Sequence, residues 1–217
     1  VASGAVFRVA NGLSNEAGAG LTLTGELVGT VTNDGTMRQT GLLTGSLTTS
    51  GSADLDGTIT GHLVYRGGSL LTGSAFRVNG EFRLAEDYSI AAGRQINAAR
   101  TVVIAGSTLD LQGRLLGTML NDGRVNVRGS TARVDGLVTN NRMISLSDGS
   151  GRIDTLTVGG LTGSGTYALD VNTRDSTADR IVIDGGAATG TYTLELNFLY
   201  PNEILSTGNR LTLIDVD

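Results

Sequence analysis

His62 is the only histidine, so any Ser-His-Asp relay would have to run through it. It lies in Gly61-His-Leu63, at a position where comparable segments carry Thr30, Ser46 and Glu81. Variation of that kind reads as an outward-facing surface position. With one histidine and no cysteine, the usual zinc ligand sets cannot be filled. Asp54-Leu-Asp56-Gly57 starts like a calcium loop, but Tyr65 stands where the bidentate Glu is needed. Gly149-Ser-Gly151-Arg-Ile-Asp154 misses the nonapeptide calcium repeat by one residue and occurs once. Both read as turns. Gly159-Gly160-Leu-Thr-Gly163 leads into no helix, so it lacks the N-terminus that cradles a phosphate.

One set could do acid–base work on a polysaccharide: Asp110, Asp135 and Asp154, with Arg114 and Arg133. Charges at alternate positions of solvated strands produce the same pattern without chemistry. Exposed aromatics for gripping sugar rings are also few, Tyr65 and Tyr88 among them. The reading is therefore a non-enzyme, with no catalytic, cofactor-binding or metal-binding residue nominated. A β-helix carbohydrate-active enzyme or a direct host-receptor-binding module is the alternative.

The elements that would carry these residues are repetitive. Residues 21–35 reappear at 109–123 with a constant offset of 88, and nine positions are identical, including Gly25/Gly113, Leu27/Leu115 and the Asn-Asp-Gly at 33–35 and 121–123. A glycine, one residue, then an apolar residue recurs at Gly29/Val31, Gly45/Leu47, Gly61/Leu63, Gly80/Phe82, Gly117/Met119 and Gly136/Val138. The steps are 16, 16, 19, 37 and 19, the longest spanning two turns. Within units, apolar residues alternate, as at Leu21/Leu23, Val125/Val127 and Ile181/Ile183. Period two is a strand signature. Glycines and Asn, Asp, Ser and Thr between the strands suggest corners made by positive φ and side-chain-to-backbone bonds. The one helix candidate, 84–100, is interrupted by Gly93 and reads equally as strands at Phe82–Leu84, Tyr88–Ile90 and Ile96.

Hairpins would turn such strands into a sandwich, and Asn-Asp-Gly is a good hairpin signal. Recurrence of corners at near-constant intervals favours instead an all-β, single-stranded parallel β-helix, or β-solenoid, in which equivalent residues stack. Eight or nine coils would give a rod on the order of 40 Å. Stacking predicts an amide ladder between Asn121 and Asn140. It also sends Val127, Leu146, Ile181 and Ile183 inward.

Composition agrees. The 33 glycines against one proline, without a three-residue period, exclude collagen. The 39% hydrophobic content is mostly small aliphatics, suited to a narrow interior. Net charge is −5, and every basic residue is a dispersed Arg, which argues against nucleic acid as a partner. No stretch approaches 18 consecutive apolar residues. With no signal peptide at Val1, the chain reads as a piece of a larger protein.

From residue 160 the pattern changes. Gly165-Thr-Tyr-Ala-Leu-Asp-Val171 is followed by Asp179-Arg-Ile-Val-Ile-Asp-Gly185, then Gly190-Thr-Tyr-Thr-Leu-Glu-Leu196 and Asn209-Arg-Leu-Thr-Leu-Ile-Asp-Val216. This order resembles the C-terminal part of pertactin-like autotransporter passenger domains, over about 55 residues. The resemblance implies a right-handed β-helix on the cell surface of, or secreted by, a Gram-negative bacterium. It implies a structural, adhesin-type stem, continuous with a C-terminal outer-membrane barrel. Its partners would be a host cell-surface or matrix protein or glycan, or a second copy of itself, with no nucleic acid and no cofactor. It divides the chain into β-helix coils at 1–159 and a C-terminal cap at 160–217 that resembles an autochaperone segment promoting passenger folding. On that reading the slowest-exchanging amides cluster around Leu169, Ile181 and Leu194.

Overall fold

A computed structural model describes residues 1–202 and 211–216. Its described residues are strands, turns and bends, with no helix, and they form a parallel β-solenoid of about nine turns. Residues 84–100 are strand and turn throughout, with strands at Tyr88–Ile90 and Gln95–Ile96.

The chain divides into two compact units, one of residues 1–87 with 96–102 and one of 88–95 with 103–217. In the first unit every turn contributes three short strands, and each strand pairs in parallel with its counterpart one turn away. One column runs through Val6–Arg8, Glu26–Val28, Leu42–Thr44 and Thr58–Ile59. A second runs through Leu13–Asn15, Val31–Asn33, Leu47–Thr49 and Leu63–Tyr65 to residues 82–84. The third holds Gly20–Leu23, Thr36–Gln39, Ser52–Leu55 and Ser69–Thr72. Val31, Leu47, Leu63 and Phe82 are direct partners, so the recurrent glycine-x-apolar positions mark the solenoid pitch.

The second unit repeats the plan with longer turns. Tyr88–Ile90, Thr108–Leu111, Arg124–Val127, Met143–Ser145, Thr166–Asn172 and Thr193–Phe198 make one column. Residues 132–134, Thr155–Gly163, Arg180–Ile183 and Ile214–Val216 belong to another. Asn209 and Arg210 lie outside the described residues. An antiparallel pairing joins 171–172 to Thr177–Ala178, a side hairpin inserted into a turn.

Parallel sheets are usually covered on both faces and lose their alternation. Here one face of most strands meets solvent, so patterns such as buried–exposed–buried at Val31–Asn33 survive. Leu27, Leu43, Leu63, Leu111, Leu146 and Ile181 have no exposed surface. Burying each such side chain contributes roughly 1.5–3 kcal/mol. Val127, Leu146, Ile181 and Ile183 all face inward, at 0–1% exposure.

Some glycine corners take the expected positive φ, as at Gly29 and Gly45, while others are required for a different reason. Neither Gly41 nor Gly123 has positive φ. A Cβ at Gly41 would run into the carbonyl oxygen of Gly25 one turn below, and at Gly123 into those of Ile104 and Ser107. Corners of adjoining turns approach too closely for a side chain. Nor does Asn-Asp-Gly turn a hairpin. The Asp34 and Gly35 N–H groups both donate to the Asn15 carbonyl, at 2.8 and 3.0 Å, tying the corner to the turn beneath.

Candidate functional site

The chemically suggestive residues are dispersed. His62 is exposed, and its imidazole has a structural contact: Nδ1 accepts the Glu81 N–H at 3.0 Å, while the His62 N–H donates to Ser46 Oγ at 3.0 Å. The same exposed corner thus passes hydrogen bonds from turn to turn. Asp54 faces solvent near Arg38 at 3.9 Å, whereas Asp56 accepts the Ala75 N–H at 2.8 Å. Those two carboxylates serve different parts of the turn. Gly159, Gly160 and Gly163 fall within the strand Thr155–Gly163.

Of the possible acid–base set, the structure joins only Arg114, Asp135 and Arg133. Arg114 grips both oxygens of Asp135, with Nη2 to Oδ2 at 2.6 Å, and Arg133 Nε reaches Oδ1 at 2.8 Å. The Arg114 guanidinium, helped by Arg133, holds the Asp135 carboxyl below the usual carboxylate range. Arg133 continues to Asp184 at 2.7 Å. Such an exposed network contributes about 0–1 kcal/mol per pair. Asp110 is on a different column and accepts from Asn126 at 2.9 Å. Asp154 is buried elsewhere, at 3% exposure.

Two polar ladders run through the interior. Asn121 Nδ2 donates to Asn140 Oδ1 at 2.8 Å and to the Met143 carbonyl at 2.8 Å, and Asn140 Nδ2 donates to the Thr166 carbonyl at 3.1 Å. This is the amide stack that the repeat implies. A second ladder occupies the first unit. Asn15 Nδ2 donates to Asn33 Oδ1 at 2.6 Å, and Asn33 Nδ2 to Thr49 Oγ1 at 3.0 Å. The Asn33-Asp34-Gly35 copy of Asn121-Asp122-Gly123 was its visible signal in the sequence. Each buried amide satisfies corner backbone as well as its neighbour, so the ladders fix register.

A third polar cluster has no counterpart in the repeat. Asp154, Asp170 and Asp179 are 1–3% exposed. Asp170 lies in a strand whose alternation would turn it outward, but the segment 147–149 covers it. Its carboxylate accepts from Ser147 Oγ at 2.6 Å, the Asp148 and Gly149 N–H groups at 3.0 and 2.8 Å, and Asn197 Nδ2 at 2.7 Å. Asp179 accepts the N–H groups of Asp154 and Asp170, each at 2.8 Å. Asp154 Oδ1 accepts the Gly129 N–H at 2.6 Å, while its Oδ2 is buried without a partner. Burial pushes the Asp179 carboxyl up to about 6, against the pull of its two N–H donors, and burial also raises Asp154. No group of three or more His, Cys, Asp and Glu placed to hold a metal ion occurs among the described residues.

In the strand Thr193–Phe198 every residue is exposed, including Leu194, Leu196 and Phe198. Their partners Tyr167, Leu169 and Val171 are buried. The Leu194 side chain is thus exposed among the described residues, whereas that of its partner Tyr167 is buried. The two Gly-Thr-Tyr segments stack with a shift: Tyr167 pairs with Leu194, and Tyr192 instead packs edge-on against the Tyr167 ring at 5.6 Å.

No known protein family, curated protein or solved structure matches this chain.

Proposed function

We propose that this chain is a structural stem of a secreted or surface-displayed autotransporter passenger of adhesin type, with its C-terminal coils promoting folding. The observation that carries the reading is the order of the C-terminal segments. The motifs at 165–171, 179–185 and 190–196 coincide with strands Thr166–Asn172, Arg180–Ile183 and Thr193–Phe198, each stacked on the preceding turn. A solenoid turn contacts mainly its neighbours, so such a chain provides length and side-chain columns in place of an enclosed pocket. Its partners are a host surface or matrix protein or glycan, met by outward residues of the turns.

The test is the complete reading frame together with its location. Continuation into an outer-membrane β-barrel, and protease accessibility of the solenoid on intact cells, are the expected results. A frame lacking any barrel, with the solenoid confined to the cytoplasm, would sink the proposal. Binding of the purified chain to matrix proteins or glycan panels then separates a contacting surface from a passive stem.

A further inference from the structure

We propose that Asp154 and Asp179 form a proton-operated clasp, which takes up one proton in mild acid and thereby tightens the turns between residues 129 and 183. The geometry is that of three carboxylates with unequal compensation. Asp170 accepts four hydrogen bonds, Asp179 two and Asp154 one. A buried carboxylate oxygen with no donor is costly when ionised and far less so when its group is protonated. The orphaned Asp154 Oδ2 therefore marks where the negative charge is least supported.

The charged groups around the cluster do not remove the problem. Arg128 precedes Gly129 and is committed to Asp148, at 3.6 Å. Asp148 sits on the covering segment and Arg152 just after it, Arg174 and Asp175 on the side hairpin, Arg180 beside Asp179, and Glu195 on the neighbouring strand. No Arg forms an ion pair with Asp154, Asp170 or Asp179 among the described residues. Arg128 eases Asp154 at a distance, while Asp148 and Asp170 oppose it, and Asp179 faces the charges of Asp154 and Asp170. A shallow surface depression lined by Ser150, Ile153, Asp170, Asn172, Asp179 and Leu199 lies beside the cluster.

The clasp joins separate segments. Asp179 holds the backbone N–H groups of both Asp154 and Asp170, and Asp154 holds that of Gly129. A carboxyl raised in the folded state binds its proton more tightly there than in the unfolded chain. Its stabilisation is full below the ordinary carboxylate range and is lost as pH rises through about 6. Ionisation then leaves two underpaired charges on the joints of three segments. The two groups titrate as a pair.

The test is urea unfolding of the full chain between pH 5 and 7.5, in a His62→Gln background so that the only histidine contributes no protons. The wild-type cluster should lose roughly tenfold in its folding equilibrium as pH rises across this window. Asp154→Asn keeps an oxygen for the Gly129 N–H and places a neutral group at the orphan position. It should weaken the dependence by removing the Asp154 charge that faces Asp179, while burial still holds the Asp179 carboxyl up; an unchanged dependence would show that the two groups do not act together. Carbon-13 titration of the aspartate carboxyls provides a readout that does not depend on the variant folding: one of the pair should ionise near pH 6. A parent midpoint that is flat or rises with pH, or ionisation of Asp154 and Asp179 both below pH 4.5, overturns the proposal.

Discussion

Leu146 shows how much rests on single interior positions. Its side chain has no exposed surface, and its N–H donates to the Ala168 carbonyl of the next turn at 2.8 Å. Leu146→Ala should cost about 2–5 kcal/mol in chemical denaturation, the range for truncating a buried Leu. A loss below 1 kcal/mol would mean that the turns collapse around the gap. The amide ladder makes a different prediction. Asn140→Ala removes the acceptor of Asn121 and leaves that buried amide short of a partner, a loss of about 1–3 kcal/mol. In a double-mutant cycle with Asn121→Ala the two losses should fall short of additivity by about 0.5–3 kcal/mol. Strict additivity would show that the stack is geometric only. His62→Gln should stay within about 0.5 kcal/mol, because the site is exposed and the Gln amide oxygen can take over the Glu81 N–H. A change of several kcal/mol would show that the imidazole is structurally essential.

At the scale of elements, protection should follow burial. Strands Thr166–Asn172 and Arg180–Ile183 carry fully buried Leu169 and Ile181 and pair on both sides, with Met143–Ser145 and Thr193–Phe198 for the first, and with Thr155–Gly163 and Ile214–Val216 for the second. Native-state hydrogen exchange should find their amides among the slowest, with Thr193–Phe198 exchanging much faster despite its regular alternation. If the C-terminal turns seed folding, amides around Leu27, Leu43 and Leu63 should open at lower free energy than those around Leu169. The reverse order would remove the seed role.

For the whole molecule, the consequence of neighbour-only stacking is tolerance to loss from one end. Removing residues 1–60 should leave a remainder with a cooperative unfolding transition and a far-ultraviolet spectrum of strand without helix. Removing 160–217 should leave an aggregation-prone chain, because Leu156, Val158 and the ladder at Asn140 lose the turns that cover them. Cooperative, soluble folding of 1–159 alone would contradict both the seed and the functional proposal built on it.

Much of this architecture was legible because a solenoid writes its tertiary contacts into sequence spacing. Val31, Leu47, Leu63 and Phe82 recur at the pitch and are paired neighbours, so the repeat alone determined the coil, its strands and the Asn121–Asn140 ladder. The ambiguity of residues 84–100 and of Asn-Asp-Gly was local, and only pairing with adjoining turns resolved it. Three matters were decided by tertiary structure. Gly41 and Gly123 are required by the backbone of another turn, not by their own φ. Leu194 repeats the pattern of core residues yet is exposed among the described residues, since alternation sets direction and not cover. Asp170 looks like an outward strand residue and is buried, because the segment 147–149, inserted from a neighbouring turn, closes over it. Periodicity reports which way a side chain points; what lies on top of it depends on chain that arrives from elsewhere.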